Sequence, residues 1–202
     1  NVLNLDKLTY ASSEESLCDI PKKRYKFLKG DIQKVNDIKK AIELSKPDYI
    51  LNFAAETHVD RSIDGPNNFI NTNIIGTYNL LSESLNYFSS LSADKKKIFK
   101  LIHISTDEVY GSLDLDDEPF NEFHRIIPNS PYSASKASSD MLVRSWFKTY
   151  KLPVNITRSS NNYGPWQYPE KLIPLTISNA LKGNSIEVYG DGTNIRDWIY
   201  VK

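Results

Sequence analysis

Tyr132 and Lys136 stand four residues apart in Tyr132-Ser133-Ala134-Ser135-Lys136, which places both on one helix face, one turn apart. A phenol with an ordinary pKa of about 10 is a poor base near neutrality. An ammonium one turn away favours the phenolate, so the pair can act as a proton acceptor with its electrostatic partner. A surface Tyr–Lys pair meets the same spacing with no chemistry. The second constellation is Ser105-Thr106-Asp107-Glu108-Val109-Tyr110-Gly111, directly after the most strand-like stretch of the chain. In open α/β sheets ligands bind beyond the carboxyl ends of strands. A hydroxyl and two adjacent carboxyl groups there can supply a hydrogen-bond donor, a general acid and a general base. A solvated turn rich in capping residues is the competing reading. The buried strand before it and the Tyr–Lys pair after it favour chemistry.

These residues need elements to hold them. Apolar runs at residues 2–5, 25–28, 49–55, 98–105 and 154–158 read as strands, with a short one at 186–189 and another begun at 198. Helical patterns fill the intervals: a short one at 12–17, then 35–44, a long one opening near Pro66, another from Pro131 to about Tyr150, and 172–181. In the long helix Ile70, Ile74, Tyr78, Leu81, Leu85 and Phe88 recur at steps of three and four and predict one apolar stripe. Ser130-Pro131 reads as an N-cap followed by proline at the first helical position. Lys95-Lys96-Lys97 reads as a solvated helix-to-strand turn, and residues 112–129 as a polar, acidic loop. Strands apolar on both faces, alternating with helices, predict an α/β fold with a doubly wound parallel sheet.

Composition narrows the field. Twenty-five basic residues balance twenty-five acidic ones among 202, so no cationic surplus advertises a nucleic-acid partner. Cys18 is the only cysteine, which excludes an intrachain disulfide and a cysteine-cluster zinc site and suits a reducing, cytoplasmic setting. His58, His103 and His124 are too scattered for a metal-ligand pattern, and no metal is expected. No apolar stretch reaches membrane-spanning length, and neither a nucleophile elbow nor a Walker-type phosphate loop occurs.

The two motifs together resemble the extended short-chain dehydrogenase/reductase family, and within it the nucleotide-sugar 4,6-dehydratases. The resemblance runs through residues 4–11, Gly30-Asp31-Ile32, residues 54–62, Thr72-Asn73-Ile74-Ile75-Gly76-Thr77, residues 160–165, residues 169–174 and Arg196-Asp197-Trp198. It implies a Rossmann-type sheet and NAD-dependent removal of water from a nucleotide sugar, in the first instance dTDP-glucose. UDP-glucose or GDP-mannose dehydration and 4-epimerisation are the nearest alternatives, and a silent dinucleotide-binding scaffold is a more distant one. Carried over to this chain, Tyr132 takes the C4 hydroxyl proton, Lys136 holds the nicotinamide ribose and lowers the Tyr132 pKa, and Thr106 bonds the C4 oxygen. Glu108 removes the C5 proton made acidic by the C4 ketone, and Asp107 protonates the departing C6 hydroxyl. Adjacent carboxyls with these roles need unlike pKa values. The implied cofactor residues are Asp6, Lys7, Thr9, Asp31, Ile32, Ala54, Ala55, Thr72 and Asn162, with Tyr132 and Lys136. A carboxylate at Asp6 can accept both adenosine ribose hydroxyls and repels a 2′-phosphate, favouring NAD over NADP, although a helix N-cap would look the same. Thr57, Asn161, Lys171, Leu172 and Arg196 are the implied substrate contacts, joined by Thr106; a guanidinium suits a diphosphate.

Residues 1–160 are thus expected to form the NAD-binding domain and 161–202 the beginning of a nucleotide-sugar-binding lobe. Family members commonly dimerise through two long helices per subunit, so a homodimer is implied, with Trp146, Phe147 and Tyr150 read as core or interface. Only eight glycines occur, and none makes the Gly-rich turn that the family places after its first strand. The chain opens at Asn1 in an apolar run and its single methionine is Met141. It therefore reads as the interior of a longer protein, beginning at the second strand, and weak NAD binding is expected of this segment alone.

Overall fold

The computed structural model describes residues 1–188 and 190–202. They fall into two compact units, Asn1–Lys7 with Lys22–Arg158, and Leu8–Pro21 with Ser159–Lys202. The second unit therefore takes in residues 8–21 as well as the C-terminal segment.

In the first unit β1 (Val2–Asp6) pairs in parallel with β2 (Tyr25–Lys29), with Asp6 opposite Lys29. A three-stranded sheet follows in the order β3 (Tyr49–Asn52), β4 (Lys100–Thr106), β5 (Val154–Ser159), and β3 and β4 are parallel. Between them lie α1 (Val35–Ser45), α2 (Val59–Asp64), α3 (Pro66–Phe69), a π-helical stretch Ile70–Gly76, α4 (Thr77–Ser90), α5 (Ala93–Ile98) and α6 (Pro131–Tyr150). This is the α/β, Rossmann-type arrangement that alternating strand and helix patterns dictate. Ile38 from α1, Leu80 and Leu81 from α4, Phe99 and Leu101 around β4, and Val143 from α6 meet in one core. Burial of their apolar surface is the main favourable term holding these layers together.

Local chemistry sets the boundaries that matter. Ser130 and Ser133 form a reciprocal capping box ahead of Pro131, so α6 starts in a defined register two residues before Ser133. Thr106 ends β4 and caps a 3-10 turn, Asp107–Tyr110, by accepting from the Glu108 amide at 3.2 Å. Gly111 closes that turn at φ +101°, where a Cβ would stand 2.6 Å from the Ile127 carbonyl oxygen. Only glycine fits there.

Several expectations change. The predicted stripe on the long helix does not form one face: Ile70 and Tyr78 are exposed, while Asn73, Gly76, Thr77 and Ser84 are buried. The π-helical turn slips the register, so a spacing of 3.6 no longer tracks the core side. Lys95, Lys96 and Lys97 lie inside α5, with Ser92 capping its start and Asp94 in its first turn, an arrangement that complements the helix dipole. Residues 14–17 form a single 3-10 turn, and β3 stops at Asn52. Residues 186–188 form no strand, and Tyr189 lies outside the described residues.

In the second unit β6 (Asn161–Tyr163) pairs in parallel with β7 (Trp198–Tyr200), and α7 (Leu172–Lys182) lies between them in sequence. The strand β6 begins at residue 161, the first of the expected second lobe. Tyr10 donates to Glu170 at 3.0 Å and its ring meets Tyr168 edge-on.

Candidate active site

The carboxyl end of β4 and the first turn of α6 bring Thr106, Asp107, Glu108 and Tyr132 into one electrostatic neighbourhood, with Lys136 one helical turn beyond Tyr132. Tyr132 is 7% exposed and Lys136 4%. The Tyr132 amide donates to Ser62 on α2 at 3.1 Å, and its ring packs edge-on against Phe69. Burial and the Glu108 carboxylate push the Tyr132 phenol well above its ordinary pKa, and a hydrogen bond with Thr106 partly opposes them. Thr106 also donates to Asp107 at 3.1 Å. The Thr-Asp-Glu turn thus acts on the phenol of the other constellation.

Lys136 departs from its expected role. Its Nζ donates to the Ile104 carbonyl at 2.6 Å, and burial lowers its pKa to about 8, with Asp140 resisting. The expectation that Lys136 lowers the Tyr132 pKa is not met here. Desolvation and a nearby carboxylate dominate the phenol, and the ammonium is turned toward a main-chain carbonyl of β4. A further positive charge at the site, such as an oxidised nicotinamide carries, acts in the direction needed to bring the phenol down.

Three polar residues that sequence reasoning did not assign organise this site. Asn73, 1% exposed on the π-helical turn, donates to the Glu56 carbonyl and accepts from the Glu56 amide, at 3.0 and 2.9 Å. It also donates at 2.8 Å to Ser135, which lies between Tyr132 and Lys136 on α6. Asp140 and Arg158 form a 2.8 Å ion pair behind Lys136, and Arg158 donates to Tyr110 on the acidic turn. Asp140 was legible as the next member of the Tyr132–Lys136 stripe, at the same spacing of four; Arg158 carried no signal of its own.

The expected cofactor residues of the first unit sit mostly at strand ends. Asp6 closes β1 and is half-buried. Asp31, just past β2, bonds Lys7 at 2.9 Å and accepts from the Gln33 amide. Thr72 accepts from Gln33 at 2.9 Å. Ala54 and Ala55 are half-buried in the segment after β3, and Thr57 is exposed two residues on. The Ile32 side chain packs into the core and against Gly76, and its carbonyl accepts from Asn79 at 3.3 Å. Carboxylates at the ends of adjacent parallel strands, with a buried Tyr–Lys pair at another strand end, are a donor set that fits a dinucleotide with a ribose diol and a redox-active ring.

In the second unit Thr9 accepts from Ser12 through its carbonyl. Asn161 is half-buried on β6, and exposed Asn162 donates to Ser159 and Ser160. Lys171 occupies the N-cap position of α7, whose first residue, Leu172, is exposed. Arg196 is exposed and donates to the Ile195 carbonyl. Among the described residues no group of three or more His, Cys, Asp or Glu is arranged to hold a metal ion.

A doubly wound α/β unit with a buried Tyr–Lys pair facing a Thr-Asp-Glu turn defines a class, the nucleotide-sugar-modifying short-chain dehydrogenase/reductases. The family model described as GDP-mannose 4,6 dehydratase matches residues 1–202, and the chain belongs to that family. It is 52% identical to dTDP-glucose 4,6-dehydratase 1 of Escherichia coli K12, over all of this chain and 58% of that protein. It is equally identical to the dTDP-glucose 4,6-dehydratase of Haemophilus influenzae, over all of this chain and 60% of that one. A crystal structure of DesIV, a dTDP-glucose 4,6-dehydratase from Streptomyces venezuelae with NAD bound, superposes with a TM-score of 0.88 at 43% identity, over 98% of this chain and 58% of that one. A UDP-glucose 4-epimerase of Thermus thermophilus in complex with NAD superposes at 0.86 with 27% identity, over 98% of this chain and 62% of that one. The chain thus spans rather less than two thirds of the relatives it matches. No helix among the described residues is long and apolar enough to cross a membrane.

Proposed function

We propose that this chain carries the catalytic centre of an NAD-dependent nucleotide-sugar 4,6-dehydratase whose substrate is dTDP-glucose. The observation that carries the reading is the Thr106-Asp107-Glu108 turn beside the buried Tyr132 phenol: Thr106 donates to Asp107 at 3.1 Å, and the Glu108 carboxylate and Thr106 both act on the phenol. The arrangement joins an oxidation pair to an elimination pair. A 4-epimerase needs the first and has no use for an acid and a base at C5 and C6, so Asp107 and Glu108 favour dehydration. Identities of about half to dTDP-glucose dehydratases, against about a quarter to the epimerase, point the same way.

In this reading Tyr132 accepts the proton of the C4 hydroxyl while Thr106 holds that oxygen. Lys136 holds the cofactor ribose and keeps positive charge beside the reacting centre. NAD, held by the residues named below, would supply the reversible hydride acceptor that oxidation at C4 and reduction at C6 require. Glu108 takes the C5 proton, which the C4 ketone has acidified, and Asp107 hands a proton to the C6 hydroxyl as it leaves as water. Asp6, Lys7, Thr9, Asp31, the main chain of Ile32, Ala54, Ala55, Thr72 and Asn162 would hold NAD. Thr57, Asn161, Lys171, Leu172 and Arg196 would hold the nucleotide sugar, Arg196 through its diphosphate.

Exposed apolar residues on α4 and α6 support a homodimer. Tyr78, Met141, Phe147 and Tyr150 are each close to half exposed, and Trp146 meets Tyr78 and Tyr150 edge-on. An apolar surface of this kind on a helix pair marks an interaction site. A free, exposed Cys18 fits a cytoplasmic location. The function is tested by incubating the full-length protein that contains this chain with dTDP-glucose and NAD: the 4-keto-6-deoxy sugar is expected, and recovery of dTDP-galactose alone would sink the reading.

A further inference from the structure

α6 carries a third buried ionisable side chain. Tyr132, Lys136 and Asp140 follow one another at steps of four, on one helix face, and Asp140 is 1% exposed. A carboxylate so enclosed needs a cationic partner. It has Arg158, whose Nε donates to Oδ2 at 2.8 Å from β5, while Oδ1 lies 3.7 Å from His103 Nε2 on β4. His103 supplies no charge in return. It is 1% exposed, in contact with Asn52 and Ser139, and burial lowers its pKa to about 3. Arg158 is anchored on its far side as well, donating to the Tyr110 hydroxyl at 2.8 Å with its guanidinium over that ring. The charged groups at this end of the α6 face are therefore two cations, Lys136 and Arg158, and one carboxylate, Asp140, paired with Arg158.

We propose that Asp140 is a positioning residue for the Tyr132–Lys136 pair: its carboxylate, pinned by Arg158, is the fixed counter-charge that keeps the Lys136 ammonium protonated inside the site. The proposal rests on the functional reading above for its catalytic meaning, though not for its electrostatics. Tethering α6 to β5 would need only a hydrogen bond. A buried carboxylate costs several kcal/mol in desolvation, so it is a poor choice for a tether alone. Without its charge, the desolvation of Lys136 loses the carboxylate that opposes it, and the proton leaves at lower pH. The other groups facing Lys136 do not replace Asp140. Tyr132 is neutral; Asp107 and Glu108 stand at the acidic turn beside the phenol; and Asp60, Arg61 and Asp64 of α2 are exposed.

The test is the titration of the Lys136 Nζ by NMR in the 15N-lysine-labelled full chain, assigned by the signal lost in Lys136→Met. In Asp140→Asn, which keeps an acceptor for Arg158, the Lys136 midpoint should fall by about one pH unit or more. Asp140→Glu, which keeps the charge, should hold it near the wild-type value. An unchanged midpoint in Asp140→Asn overturns the proposal, as does an Asp140→Glu protein that behaves like Asp140→Asn. Where Asp140→Asn does not fold, Asp140→Ser is read in its place: its Lys136 midpoint should fall likewise, and an unchanged midpoint overturns the proposal. The readout needs no turnover. A shifted titration in a protein that does not oxidise dTDP-glucose would fault the functional reading and leave the role of Asp140 intact.

Discussion

Tyr132 and Glu108 are coupled through charge, and that coupling gives the sharpest residue-scale prediction. Glu108→Gln removes a carboxylate that raises the Tyr132 pKa, so C4 oxidation should survive or improve. Loss of a general base costs on the order of a hundredfold or more, so exchange of the C5 proton with solvent should fall at least that far. Deuterium entering C5 at the wild-type rate would assign the base elsewhere. His103 gives a stability prediction of definite sign. Its folded pKa of about 3 lies below the ordinary 6.5, so between those values the unfolded chain binds a proton that the folded site refuses. Stability should be fully present above about pH 6.5 and decline as pH falls toward 3. His103→Gln should flatten that acid limb in urea titrations; an unchanged limb would contradict the buried neutral imidazole. The chemistry-bearing residues were legible because their types and short spacings survive without a fold. The counter-ion pair was not: Arg158 is 18 residues from Asp140, and nothing local marks that meeting.

At the scale of elements, strands and long helices followed from apolar runs, and the start of α6 from Ser130-Pro131. What periodicity misread was the long helix, because a π-helical turn changes the residue count per turn exactly where the buried polar network is made. Asn73 is the product of that slip: one residue of the regular pattern would have carried it away from Glu56 and Ser135. Asn73→Ala breaks three hydrogen bonds in a buried site, each worth about 1 kcal/mol, and leaves the Glu56 amide without its partner. A loss of roughly 2–4 kcal/mol in chemical denaturation is expected. A loss below about 0.5 kcal/mol, the range of surface substitutions, would show the network to be incidental. The lysine run was misplaced for a related reason. Three cations read as solvated in any turn, and only the Ser92 cap and Asp94 reveal that they form the last turn of a helix.

At the scale of the molecule, the sequence resemblance carried the fold class and the order of motifs, whereas the division of the chain into units depended on contacts distant in sequence. Residues 8–21 join 159–202 through pairs such as Tyr10 with Glu170, which no local pattern announces. The apolar faces of α4 and α6 make the assembly testable. Phe147→Glu introduces a charge at an exposed position and should convert a dimer to a monomer in light scattering while leaving the fold intact; a dimer unaffected by this change would place the interface elsewhere. If one site oxidises C4, eliminates water across C5 and C6, and returns the same hydride to C6, the fate of deuterium in dTDP-glucose labelled at C4 decides it, read by NMR after turnover by the full-length protein with NAD. Deuterium is expected in the C6 methyl group of a 4-keto-6-deoxy product; deuterium retained at C4 of a hexose with its C6 hydroxyl intact would overturn the proposed function.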